Sequence, residues 1–388
     1  AAGDYSGRSV SLSSDGTTVA IGAQDNDGNG YNSGHVRIYA WDGSDWTQQG
    51  ADIDGEAAYD YSGRSVSLSS DGTTVAIGAE GNDGNGEISG HVRIYGWNSA
   101  TSAWEQQGAD IDGEAASDQS GYSVSLSSDG TTVAIGAHRN DGNGSTSGQV
   151  RIYAWNSATS AWDQQGADID GEAAADFSGY SVSLSSDGTT VAIGAAGNDG
   201  NGEFSGHVRI YGWNSATSAW DQQGADIDGE AASDQSGYSV SLSSDGTTVA
   251  IGAPYNDGGG LSSGHVRIYG WNSATSAWEQ QGADIDGEAA SDQSGYSVSL
   301  SSDGTTVAIG AHRNDGNGST SGQVRIYAWN SATSAWDQQG ADIDGEAASD
   351  QSGYSVFLSS DGTTVAIGAV GNDGNGSDSG QVRVYSWD

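Results

Sequence analysis

The chain has 388 residues with no cysteine and no methionine, and 52 acidic against 11 basic residues give a net charge of −41. Disulfides and thiolate metal sites are excluded, and a field of this sign repels nucleic acid and anionic membrane surfaces. So acidic a chain, with 63 glycines and 34% hydrophobic residues, would read as disordered if its pattern were not periodic.

In chain order, Ser65-Val66-Ser67-Leu68-Ser69 alternates small polar with large apolar residues and predicts a first strand. Ser70-Asp71-Gly72-Thr73 is a tight turn into a second strand, Thr74–Ala79. The Asx-Gly loop Asn82-Asp83-Gly84-Asn85-Gly86 leads to a third strand, His91–Trp97, and a Ser/Thr/Ala turn feeds a fourth, Trp104–Ile111. No segment sustains a helical period, so the expected class is all-β.

This unit of about 58 residues recurs seven times. Its Asp-Gly-Thr-Thr-Val-Ala-Ile-Gly-Ala string starts at Asp15, Asp71, Asp129, Asp187, Asp245, Asp303 and Asp361. The expected architecture is a single domain, 1–388, folded as a seven-bladed β-propeller of four-stranded antiparallel blades, with first strands near 9, 65, 123, 181, 239, 297 and 355. The fourth strand is written six times only, so one blade should lack its outer strand and leave the edge at Gln381–Trp387 open to another chain. With no apolar run of membrane-spanning length and a start at Ala1, the chain reads as a mature or excised domain.

The unit resembles the FG-GAP repeat of integrin-α-like propellers. The Gly of the Phe-Gly pair is kept at Ser6-Gly7, Ser62-Gly63 and Ser120-Gly121, and Gly-Ala-Pro stands whole at Gly252-Ala253-Pro254. The resemblance implies an extracellular or cell-surface adhesion role. Calcium-binding members carry Asp-x-Asp-x-Asp-Gly in the first turn, where this chain has a single carboxylate, as in Ser70-Asp71-Gly72-Thr73. One carboxylate cannot build a cage of six to eight oxygens.

A second acidic constellation could supply oxygen ligands for calcium. It comprises Asp52, Asp54, Glu56 and Asp60, repeated as Asp110, Asp112, Glu114 and Asp118, as Asp168, Asp170, Glu172 and Asp176, as Asp226, Asp228, Glu230 and Asp234, as Asp284, Asp286, Glu288 and Asp292, and as Asp342, Asp344, Glu346 and Asp350. The competing reading pairs these acids with the third-strand arginines, Arg37, Arg93 and their five copies.

Differences between units gather in the 2–3 and 4–1 connections, which share one propeller face. There His138, Arg139, Phe177, Phe204, Tyr255, Leu261, His312 and Arg313 form a candidate ligand-binding rim. No nucleophile–base–orienter set and no phosphate loop is present, so the chain is expected not to be an enzyme. The expected function is recognition of a protein or glycan through this face, together with divalent cations. The alternative is a structural bead of a larger extracellular filament or wall protein, joined to neighbouring copies through the open edge.

Overall fold

The computed structural model describes residues 1–387. Its strands form seven sheets around a central axis, one per repeat, and every sheet is antiparallel. In the first blade β1 (Ser9–Leu12), β2 (Thr18–Ala23) and β3 (His35–Trp41) pair in sequence order from the axis outward. The outer strand is interrupted: β4 (Trp46–Gln48) and β5 (Ile53–Asp54) both pair with β3, through Trp41↔Trp46 at one end and Val36↔Ile53 at the other. The last blade has three strands, Ser352–Leu358, Thr364–Ala369 and Gln381–Ser386. The expected propeller with one incomplete blade is therefore present.

The break in the outer strand, expected as continuous, has a packing cause. Gly50 takes φ +79°, and a Cβ there would lie 3.0 Å from both Trp97 and Trp104 of the next blade. The chain bulges to admit those indoles, and Trp104 Nε1 donates to the carbonyl of Gln49 at 2.9 Å. The same indole-to-carbonyl bond recurs at Trp162, Trp220, Trp278 and Trp336.

The core lies between blades rather than within them. Val36, Ile38 and Ile53 of the first blade pack on Val66, Leu68, Val75 and Ile77 of the second, and this composition repeats around the ring. The small face of each second strand makes the close approach possible. A Cβ on Gly194 would overlap the carbonyl oxygen of Gly237 and Oγ of Ser181, so glycine lets the backbones of adjacent blades meet.

A ring of backbone hydrogen bonds closes one end of the axis. Ser14 N–H donates to the carbonyl of Ser70 at 2.8 Å, Ser70 to Ser128, and so on round to Ser360, which donates to Ser14 at 3.0 Å. At the other end the N-terminal segment joins the last blade through Gly3 N–H to Ser377 O and a parallel bridge between Ser6 and Gly380. The seam between first and last blades is thus closed by loops and serines, without a shared strand.

Candidate funnel site

One residue at or just before the start of each first strand points into the axis, one per blade: Arg8, Arg64, Tyr122, Tyr180, Tyr238, Tyr296 and Tyr354. The five tyrosines stack in sequence with ring centroids 4.9, 4.7, 4.8 and 4.9 Å apart. Arg8 caps one end of the stack, 4.6 Å from the Tyr354 centroid, and Arg64 caps the other, 3.9 Å from Tyr122. The two arginines are neighbours in the ring. Arg64 Nε is 3.2 Å from Glu80, whereas Arg8 Nε is buried with no hydrogen-bond acceptor. Burial and the nearby Arg64 push the Arg8 guanidinium below its ordinary value.

Above this ring opens a funnel of about 350 Å³ lined by Arg8, Arg64, Glu80, His138, Arg139 and Phe177 among others. Seven of the eleven arginines occupy the third-strand position. Of the other four, Arg8, Arg64 and Arg139 line this funnel, and Arg313 stands beside His312 on the same face.

The expected rim residues separate into three groups. Arg139 and Arg313 are exposed, and Phe177 is half-buried at the funnel wall. His138 and His312, expected on the open rim, turn inward and are 5% and 4% exposed, His138 at the funnel wall. His138 packs 3.9 Å from Tyr122 and His312 4.0 Å from Tyr296, ring to ring. Burial first, then Arg64 and Arg139, depress His138 to about 3. Burial, then Arg313 and Arg8, do the same to His312, also to about 3. Both are neutral wedges that hold the tyrosine ring. Tyr255 leans on Tyr238 at 6.3 Å. Phe204 and the 71% exposed Leu261 stand on loops bonded to the next blade's connection, through Gln235 N–H to Phe204 O and Ser291 N–H to Leu261 O, and line none of these cavities.

The acid quartet does not assemble as one cage. In its first copy, Asp52 and Asp54 gather beside His35, with carboxylate oxygens 3.7 and 4.0 Å from Nδ1. Glu56 crosses to the second blade, 4.0 Å from His91 Nδ1 and 3.7 Å from Arg93. Asp60 is buried and accepts from the backbone N–H groups of Glu56 and Ala57, capping the connection. Asp118, Asp176, Asp234, Asp292 and Asp350 cap their connections in the same way. The arginines donate chiefly to main chain, as Arg93 does to the carbonyl of Asp54 at 2.8 Å.

The regrouping brings one imidazole and two carboxylates within 4.8 Å of one another at His35/Asp52/Asp54, Glu56/His91/Asp110, Glu172/His207/Asp226 and Glu230/His265/Asp284. Such a mixed N/O set fits a divalent cation with nitrogen affinity better than calcium, which takes oxygens alone. Burial, then the adjacent arginine, lowers each of these histidines, so the imidazoles are neutral and available as ligands. In the third, sixth and seventh blades glutamine replaces histidine, and Gln149 and Gln323 instead donate to Glu114 and Glu288 at 3.1 Å. The first-turn aspartates build their turns: Asp15 Oδ1 accepts from Ser13, from Thr17 N–H and from the Thr17 hydroxyl. Among the described residues no helix is long and apolar enough to cross a membrane.

The FG-GAP repeat family matches residues 1–39, 46–95, 110–153, 226–269 and 284–327, together more than half of the chain. No curated protein matches it. Among solved structures, a putative 6-phosphogluconolactonase from Bacteroides uniformis superposes with a TM-score of 0.59 at 11% identity, covering 87% of this chain and 85% of that one. The periplasmic gluconolactonase of Pseudomonas aeruginosa gives 0.57 at 16% identity, covering 91% and 88%. A second putative 6-phosphogluconolactonase, from Bacteroides fragilis, gives 0.56 at 12% identity, covering 87% and 84%. At these identities the likeness is one of fold. It overturns the expectation that the chain is not an enzyme, because propellers of this shape bear the names of lactonases and the architecture gives no ground for excluding catalysis.

Proposed function

The chain belongs to the FG-GAP repeat family, and on that footing we propose that it is an extracellular or cell-surface recognition module that takes the acidic group of a protein or glycan ligand into its funnel. The observation that carries this reading is the placement of the arginines. A chain of net charge −41 has four arginines outside the repeated third-strand position, and Arg8, Arg64 and Arg139 of these line one funnel. Arg8 in particular is held beside Arg64 without an acceptor for its Nε. Two adjacent guanidiniums over aromatic faces offer a carboxylate or sulfate charge-assisted bonds. Phe177, half-buried at the funnel wall, offers an apolar ring to a sugar beside them.

Divalent cations enter the proposal at the four His–carboxylate clusters, which lie in the blade connections rather than in the funnel. Comparing melting temperatures in calcium, in zinc and in chelator tests that part. A shift with zinc that His91→Gln and His207→Gln reduce supports it; identical melting in all three rejects it.

The recognition reading is tested by screening the protein against neutral, carboxylated and sulfated glycans and surface proteins, with gluconolactone hydrolysis measured in parallel. Binding restricted to acidic ligands, and weakened by Arg139→Ala and Phe177→Ala, supports the proposal. Binding indifferent to both substitutions, or lactone hydrolysis without acidic-ligand binding, refutes it.

A further inference from the structure

The third strand opens on histidine in four blades, at His35, His91, His207 and His265, and on glutamine in the other three, at Gln149, Gln323 and Gln381. His91, His207 and His265 are buried, each where a glutamate of the preceding connection meets aspartates at the outer edge of the histidine's own blade. Around His91 Nδ1 lie Asp110 Oδ2 at 3.8 Å, Glu56 Oε2 at 4.0 Å and Asp112 Oδ1 at 4.0 Å. Around His207 Nδ1 the matching atoms of Glu172, Asp226 and Asp228 all lie at 4.0 Å. His265 Nδ1 has Glu230 and Asp284 at 3.8 and 3.9 Å, and among the described residues it is itself buried without a hydrogen-bond partner.

The glutamate and the first aspartate of each set are steadied through their other oxygen. Asp110 Oδ1 accepts from Gln106 at 2.6 Å, and Oδ1 of Asp226 and of Asp284 accepts from Gln222 and Gln280 at 2.7 Å. Glu56, Glu172 and Glu230 turn Oε1 to Arg93, Arg209 and Arg267 at 3.7, 3.7 and 3.6 Å. The oxygens left to face the imidazole, Asp Oδ2 and Glu Oε2, stop short of hydrogen-bonding distance from it. A tetrahedral ion about 2.0–2.2 Å from each ligand would hold those atoms about 3.4 Å apart, so a side-chain shift of about half an ångström closes the set upon it. Protein donors on the second oxygen are the outer support that metal-binding carboxylates use. The glutamine blades supply the contrast: Gln149 and Gln323 Nε2 donate at 3.1 Å to Oε2 of Glu114 and Glu288, the same oxygen that faces the imidazole elsewhere.

We propose that zinc, or another first-row divalent cation with nitrogen affinity, clamps three seams of the propeller, one ion each between the first and second, third and fourth, and fourth and fifth blades, and that the choice of histidine or glutamine at the head of the third strand decides which seams are clamped. The proposal rests on the cation reading above and adds where the ions sit, what they join and which residue selects them. Nδ1 of the histidine, Oε2 of the glutamate and Oδ2 of the first aspartate are the ligands. Because the glutamate belongs to the connection leaving one blade and the other two ligands to the next, the ion joins neighbours that the hydrophobic core joins further in. The first-blade cluster differs. Arg37 holds both oxygens of Asp52 at 2.9 and 2.8 Å, so this site binds more weakly, and with His35, Asp52 and Asp54 all from one blade it spans no seam.

The test counts zinc ions per chain by equilibrium dialysis. Three tightly bound ions are expected, and calcium in about hundredfold excess should not displace them, because calcium does not favour the nitrogen ligand. His91→Gln, His207→Gln and His265→Gln should each remove one. These variants should fold, since the chain itself carries glutamine at this place in the third and sixth blades. Glu56→Gln should weaken the ion at His91 at least tenfold, although it alters only the far side of the seam. Gln149→His and Gln323→His should each add an ion, since Glu114 with Asp168 and Glu288 with Asp342 already stand at the matching positions. No bound zinc in the unsubstituted chain overturns the cation reading and this proposal with it. Zinc bound in a number that the histidine substitutions leave unchanged, or that neither glutamine substitution raises, overturns this proposal alone, and so does a Glu56→Gln variant that holds the ion as tightly as before.

Discussion

The two buried histidines at the tyrosine ring make acid stability a quantitative test of the funnel's construction. Each has a folded pKa of about 3, against an unfolded value near 6.5. A depressed histidine contributes stability that is complete above pH 6.5 and is lost as pH falls towards 3, because the unfolded chain takes the proton first. At pH 5 the gap is about 1.5 units, or roughly 2 kcal/mol for each histidine and about 4 kcal/mol for both. The charged groups around them are Arg64 and Arg139 for His138, and Arg313 and Arg8 for His312. Replacing both by phenylalanine keeps a ring against Tyr122 and Tyr296 but removes the titration. Urea unfolding at pH 7 and pH 5 then gives the answer by difference. Histidines 35, 91, 207 and 265 are also depressed but cancel because both proteins retain them. The first-turn aspartates, also depressed, act below about pH 4. The unsubstituted chain should lose about 4 kcal/mol more than the double variant on going from pH 7 to 5. Parallel losses would show that the histidines reach water and that the funnel is not built as described.

Gly194→Ala should lower stability by roughly 2 kcal/mol or more, since its Cβ collides with the Gly237 carbonyl of the next blade; unfolding in urea checks it. Ile210→Ala, at a side chain 1% exposed in an interblade cluster, should cost roughly 2–5 kcal/mol by the same measurement. Trp220→Phe removes the 2.8 Å bond from Nε1 to the Gln165 carbonyl and should cost about 1 kcal/mol beyond the lost contact area. Arg93→Ala should destabilise more than Glu56→Gln. Arg93 donates to a main-chain carbonyl from a buried position, whereas the 3.7 Å pair with Glu56 is 47% exposed on the acid's side and contributes little. Equal losses in the two variants would contradict that ranking.

The sequence made the blades legible because each carries its own signals: Ser-Val-Ser-Leu alternation, an Asp-Gly turn and a Val-Ala-Ile-Gly strand, copied at fixed spacing. What it concealed are the contacts between copies. The outer strand reads as continuous from Trp104 to Ile111, and only the next blade's indoles explain why it breaks. Asp52, Asp54, Glu56 and Asp60 are close in sequence, yet the connection turns between them and sends Glu56 across to His91. His138 and His312 stood out as loop variants. Their neighbours are rings from two adjacent blades, distant in sequence, so their burial could not be read locally. The ring itself left a signal that went unused. The residue between Ser-Gly and each Ser-Val first-strand run is Arg, Arg and then Tyr five times, a large side chain recurring beside glycine and serine.

The proposal that the funnel holds an acidic group is tested most directly by one comparison. Calorimetry should measure a carboxylated ligand from the screen beside its carboxyl-reduced, neutral counterpart, on the unsubstituted chain and on Arg8→Ala. The account predicts that reduction of the ligand and removal of Arg8 each weaken binding about tenfold or more, the scale of a charge-assisted hydrogen bond. Combined, the two changes should cost little more than either alone. Equal affinity for the charged and neutral ligands would contradict it.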